Sequence, residues 1–154
     1  MPDTLPCLLR PSSLDDLLLY RLHHIQSVAG RIVVRWCEGD HGITRREWRM
    51  ISLLADAGSL QPSQLAERAQ LDRARTSKTI TSLSDKALIV RSARPDDRRL
   101  VTVALTPAGQ AIHAALYPKI VALNLDMLSA LQVSEVAQLD DTLARLEKQA
   151  KRIL

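Results

Sequence analysis

Two stretches carry most of the side chains able to do chemistry. The first, RARTSKTITSLSDKAL, runs from Arg73 to Leu88 and places Arg73, Arg75, Thr76, Ser77 and Lys78 within six residues. The second, VRSARPDDRRLVTVALT, runs from Val90 to Thr106, and five of the six residues in its centre, RPDDRR, are charged. A plain hairpin turn needs only Asn, Gly or Asp. Guanidinium, ammonium and hydroxyl donors at this density suit an oxyanion, and a run of them suits a polyanion. Between Asp72 and Arg99 eight basic residues face four acids, so this segment holds the entire formal net charge of +4. From residue 73 to 84 there is no acid at all, whereas a salt-bridged surface helix spaces acids four residues from bases. The competing reading is a solvated charged face.

Enzyme chemistry finds little to build on. There is no Gly-rich phosphate loop, nucleophile elbow or His–carboxylate pair at catalytic spacing, and His113 is a lone histidine on a helix. Cys37 and His41 are four apart, with Glu38, Asp40 and His23 at hand, yet no paired-ligand motif exists. The expectation is therefore no cofactor, no metal and no catalytic residue. Two cysteines cannot make a disulfide scaffold, although Cys7 near Arg10 and Cys37 near Arg35 leave a thiol-based redox response open. With no basic leader and no apolar run of membrane-spanning length, the expected location is the cytoplasm, away from membranes.

These residues need elements to hold them. The chain has 154 residues, 46% apolar, 25% charged and without Phe, which suits one soluble domain with an aliphatic core. Residues 1–12, with three prolines, read as an extended arm. From Leu14 to Trp36 apolar residues recur every three or four positions, one stripe of a helix capped by Ser13 with Asp16, ending at GDHG. Thr44 and Glu47 form a capping box, with Ile43 and Trp48 placed as a staple, for a helix that stops at Gly58. Pro62 opens a short helix to Ala69, and Asp72 caps the next over 73–86, with Ala74, Ile80, Leu83 and Ala87 expected inward. Two such helices joined by a tight turn make a helix-turn-helix. The β-compatible runs 88–93 and 100–105 then form a hairpin, and the whole is a winged helix with RPDDRR at the wing tip. Arg98 and Arg99 can reach a minor groove, oriented by Asp97. Thr106-Pro107 opens a helix to about Leu131, bent at Pro118, and Ser134 caps a last one.

The chain resembles the MarR (multiple-antibiotic-resistance regulator) transcription factors. The resemblance is carried by ITRREWRMISLLA, SQLAERAQLDRARTSKTITSLSDKALIVR and, most specifically, DDRRLVTVALTPAG. It implies a mainly α fold with a small β-hairpin, in which N- and C-terminal helices form a homodimerisation domain around winged helix-turn-helices. The expected parts are 1–37 (arm and first dimerisation helix), 43–106 (DNA-binding region) and 107–154 (C-terminal dimerisation helices). The positions matching the family's DNA contacts are Arg73, Arg75, Thr76, Ser77 and Lys78, with Asp97 and Arg99 as the wing pair. Ala87 departs from the family's glycine at a helix end. The resemblance also implies a small aromatic-acid or phenolic effector, for which Tyr20, His24, Trp48 and Arg49 are the candidates. The expected partners are thus operator DNA, a second copy and such an effector. The alternatives are a winged-helix protein-interaction module, a thiol-based redox regulator, or a small ligand-modifying enzyme using Tyr20 and His24.

Overall fold

The computed structural model describes residues 6–93 and 101–153, and the chain separates into two compact units, Met1–Leu116 and Tyr117–Leu154. Among the described residues six α-helices and three short strands follow in order: α1 (Leu18–Val34), α2 (Arg45–Ala57), β1 (Ser59–Leu60), α3 (Pro62–Ala69), α4 (Arg73–Asp85), β2 (Ile89–Ala93), β3 (Val101–Leu105), α5 (Pro107–Leu128) and α6 (Val133–Arg152). Mainly helical with a small antiparallel sheet, it is the winged-helix class that the sequence implied.

The first helix is interrupted where one continuous stripe was expected. Leu14–Asp16 form a single 3₁₀ turn, and Leu17 is extended, with φ −79° and ψ 129°, before α1 begins. Ser13 is the N-cap of that turn, as expected, and the Asp16 carboxylate accepts from the backbone N–H of Ser12 at 2.9 Å and of Ser13 at 3.0 Å. The arm is not wholly extended either, because Cys7–Leu9 make another 3₁₀ turn. Beyond α1, Arg35–Asp40 widen into a π-helical turn that tucks Cys37 into the core before Gly42 turns the chain at φ +62°. Burial pushes the Cys37 thiol above its ordinary range, which opposes thiolate chemistry there.

The core forms around α2, whose apolar stripe Met50, Ile51 and Leu54 meets Leu65 of α3, Ile80 and Leu83 of α4, and Val103 of β3. The staple residue Ile43 is buried with them. The sheet order is β1–β3–β2, with Leu60 opposite Val103 and Val90 opposite Ala104. A two-residue strand carries no alternation to read, so β1 was not anticipated; it exists because β3 has a free edge and Leu60 an apolar side chain to bury. The helix that starts at Pro107 ends at Leu128, short of Leu131, and the last helix is capped by Gln132, not Ser134. There the Glu135 carboxylate reaches back to the Gln132 N–H at 2.7 Å.

Ala87 keeps the left-handed bend that glycine would adopt more easily, at φ +56°. The bend persists because three bonds hold it: Ala87 N–H to Ser84 O at 2.9 Å, Leu88 N–H to Leu83 O at 2.9 Å, and the Thr106 hydroxyl to Ala87 O at 2.7 Å. A β-carbon in this region costs about 1–2 kcal/mol, partly offset because alanine has less freedom to lose than glycine. Ala87→Gly should therefore stabilise the protein by about 0.5–1 kcal/mol, seen as a higher urea midpoint with an unchanged m value.

Candidate nucleic-acid interface

The two helices α3 and α4 are joined by a turn set by backbone geometry rather than by glycine. Gln70 takes the left-handed conformation at φ +54°, Leu71 N–H closes onto Ala66 O at 3.0 Å, and Asp72 starts α4. The Asp72 carboxylate accepts from the backbone N–H of Arg75 at 2.7 Å and also pairs with its guanidinium at 3.3 Å. The expected Asp72 cap thus starts α4 directly after the turn from α3.

The inward face of α4 is Thr76, Thr79, Ile80 and Leu83. Thr76 is 2% exposed, so its assignment as a DNA contact is corrected. Its hydroxyl donates to Asp72 O at 2.8 Å, and that of Thr79 donates to Arg75 O at 2.7 Å. A threonine that satisfies its own hydroxyl on the preceding turn buries its methyl group like a small valine. Conversely Ala74, expected inward, is exposed. With about 100° per residue, burial of positions 76, 79, 80 and 83 leaves Ala74, Ser77, Lys78 and Thr81 on the opposite side. Arg73, Arg75, Ser77 and Lys78 are all exposed, as expected for a surface offered to a ligand. Asp97, Arg98 and Arg99 lie outside the described residues.

On one flank of α4 a groove of about 360 Å³ is bordered by Arg73, Ser77 and Arg91 of β2, with Pro62 of α3 and Val101 of β3 beyond. On the other flank Lys78, Thr79 and Ser82 border a smaller hollow with Thr44 and Arg46 of α2. Glu47 lies beneath it, a buried carboxylate that sequence reading placed only as a cap. It accepts from Thr44 N–H at 2.7 Å, the Ser82 hydroxyl at 2.7 Å and the Lys86 ammonium at 2.8 Å, while Lys86 also donates to Gly42 O at 2.8 Å. Burial by itself would raise the Glu47 pKa, but the hydrogen bonds from Lys86, the Thr44 backbone and Ser82 outweigh it and hold the carboxyl below its ordinary value. Lys86, counted in the basic excess of the sequence, is therefore spent on fastening α4 to α2. The capping box was legible; its coupling to a lysine 39 residues away was not.

The four expected effector residues do not share one pocket within the chain. Tyr20 and His24 line an open groove of about 560 Å³ with Arg21, Asp15, Asp16 and Ile25. Trp48 instead stacks on His113, with ring centroids 5.5 Å apart and planes 16° from parallel. Arg49 donates to Ala69 O at 3.2 Å, which ties α2 to the end of α3. Among the described residues no group of three His, Cys, Asp or Glu side chains is arranged to hold a metal ion, and no single helix is long and apolar enough to cross a membrane.

Comparison with known proteins points the same way as the geometry. A family model described as "MarR family" matches residues 41–100, which include α2, α3, α4 and β2. The chain is 29% identical over 137 residues to a putative transcriptional regulatory protein for the hcr operon of Thauera aromatica, covering 89% of this chain and 82% of that one. It is 30% identical over 73 residues to the homoprotocatechuate degradative operon repressor of Escherichia coli, covering 47% and 49% of the two. The solved structure of a probable transcriptional regulator from Pseudomonas aeruginosa superposes with a TM-score of 0.75 at 29% identity, covering 87% of this chain and 99% of that one.

Proposed function

We propose that this chain, which matches the MarR family model over residues 41–100, is a ligand-responsive repressor of that family that grips a near-palindromic operator as a homodimer. The observation that carries this reading is the outward face of α4, where Arg73, Arg75, Ser77 and Lys78 are exposed on a helix whose other face is locked into the core. A helix presenting its N-terminal donors in this way fits the major groove. Arg99, with Asp97 to orient it and Arg98 beside it, then supplies the minor-groove contact, a reading that rests on the sequence of the wing.

Dimerisation is supported by apolar surface left uncovered. In α1, Leu19 is 78% exposed, and Ile25 and Val28 are exposed along the same helix. In α6, Leu139, Leu143 and Leu146 recur at helical spacing and are all exposed. Faces of this kind need a partner surface, and a second copy supplies both at once. The three-part division into 1–37, 43–106 and 107–154 follows from that assembly. A twofold dimer presents two α4 helices to half-sites about 10 bp apart, one helical turn.

For the effector, the groove at Tyr20 and His24 offers a phenol and an imidazole, with Arg21 able to meet a carboxylate. A relative named as a homoprotocatechuate degradative operon repressor associates repression with an aromatic acid in that protein. The effector works only by preferring the conformer in which the two α4 helices miss their groove spacing. With Trp48 and Arg49 engaged elsewhere in the chain, they belong to the effector site only in a rearranged or assembled state.

The test is a salt titration of binding to a DNA duplex selected by the protein from a random library. Affinity should fall steeply with salt at two chains per duplex, and Lys78→Ala should weaken binding about tenfold, the worth of one charge-assisted contact, with native helical circular dichroism. Binding that ignores salt, or a Lys78→Ala protein that binds like the parent, would overturn the assignment.

A further inference from the structure

We infer that Arg46 of α2, acting beside Lys78, is a second DNA-backbone contact, so that each α4 helix is flanked by cations for both strands that wall one major groove. This rests on the DNA-binding reading above and extends the interface to a helix outside the helix-turn-helix.

Ser77 borders the groove on the Arg91 side of α4, while its neighbour Lys78 borders the hollow on the Arg46 side. Successive residues turn by about 100° around a helix, so this divergence is what two flanks of one rod require. The major groove admits a single helix and is walled by the phosphates of both strands. A rod with cations on one rim would neutralise one wall and leave the other unmet. Arg73 and Arg91 serve the first rim; Arg46 and Lys78 serve the second.

Arg46 is free for this work. It is exposed, and among the described residues neither it nor Lys78 makes a salt bridge. The acid nearest to hand, Glu47, is 3% exposed and already accepts from Thr44, Ser82 and Lys86. The adjacent Arg45 is turned the other way: its guanidinium lies against Gly30 of α1, where an added β-carbon would stand 2.7 Å from Nη1. The hollow between Arg46 and Lys78 is shallow, about 150 Å³, and lined by Thr44, Thr79, Ser82 and Glu47, whose charge Lys86 already meets at 2.8 Å. No aliphatic or aromatic residue is among those that line it. Two exposed cations without a salt bridge among the described residues, at the rim of one polar hollow, suit a phosphodiester.

The experiment compares the full-length parent, Arg46→Ala, Arg46→Lys and Arg145→Ala on two duplexes, one random in sequence and one selected by the parent protein. Arg145 is an exposed cation of α6 and serves as the charge control. For Arg46→Ala the slope of log affinity against log salt should flatten by about 0.9, the value of one phosphate contact. The loss should be equal on both duplexes, because a phosphate contact carries no sequence information. Arg46→Lys should restore most of the slope, and Arg145→Ala should match the parent. An Arg46→Ala protein with parental affinity and slope overturns this inference alone, as does an equal loss in Arg145→Ala. A parent protein that binds neither duplex in a salt-dependent way overturns the DNA-binding reading and this inference together.

Discussion

Glu47→Ala is expected to destabilise the protein by about 3 kcal/mol, the scale for breaking a buried hydrogen-bonded charge pair. The side chain is 3% exposed and receives three donors from two other places in the fold. Removing it strands the Ser82 hydroxyl and the Thr44 N–H, and leaves Lys86 with Gly42 O alone. Glu47→Gln, similar in shape but neutral, should cost about half as much. The pair also predicts a pH dependence. Because the folded state holds the Glu47 carboxyl below its ordinary value of 4.5, its contribution is complete above that value and is lost as pH falls through the depressed one. Melting temperature should therefore drop on acidification below about 4.5, and Glu47→Gln should flatten that part of the curve. Parallel curves for the two proteins would show that other carboxylates carry the acid response. Since Lys86 and Ser82 both belong to the α4 region, the same variants should loosen α4 and, on the proposed function, lower DNA affinity without changing the salt slope.

Gly109→Ala should cost about 2–3 kcal/mol, the scale for overpacking less the helix-propensity gain of alanine. The glycine sits in the first turn of α5, where an added β-carbon would collide with the carbonyl oxygen of Leu88 and crowd Leu105 Cδ2 at 3.2 Å. That carbonyl cannot simply move, because it accepts from Thr106 N–H at 3.0 Å. Thr106 in turn caps Gly109 N–H at 3.2 Å and donates to Ala87 O at 2.7 Å. Relief would have to come from shifting the whole junction between α4, the sheet and α5. The expected readout is a melting temperature lower by about 4–10 °C; a shift under one degree would mean that the junction is soft. This contact also gives the terminal glycine of LTPAG its physical reason: it lets a helix start directly against the strand that follows α4.

Local signals carried most of the fold. The Thr44–Glu47 capping box, the Pro62 and Pro107 starts and the Gly58 stop are short-range chemistry, and the structure places them where sequence reading did. The Asp72 cap and the exposed cluster Arg73, Arg75, Ser77 and Lys78 were equally legible, because the cap fixes where α4 begins and charge resists burial. The rotation of α4 was not. Its apolar pattern is thin, so the inward face depended on whether Thr76 and Thr79 could satisfy their hydroxyls, which they do on the preceding turn. Ala74, small enough for either side, went outward.

The sequence by itself determined which segments become helices, where α2, α3, α4 and α5 start, and that one segment holds the positive charge, because each of these depends on neighbours within a few residues. Tertiary structure decided what those charges do. It took Lys86 out of the cationic surface and bonded it to Glu47, turned Arg45 toward Gly30 while leaving Arg46 open, and separated Trp48 and Arg49 from Tyr20 and His24. Such assignments depend on which distant donor meets which acceptor once the core has closed, and that pairing is set by packing, not by spacing along the chain.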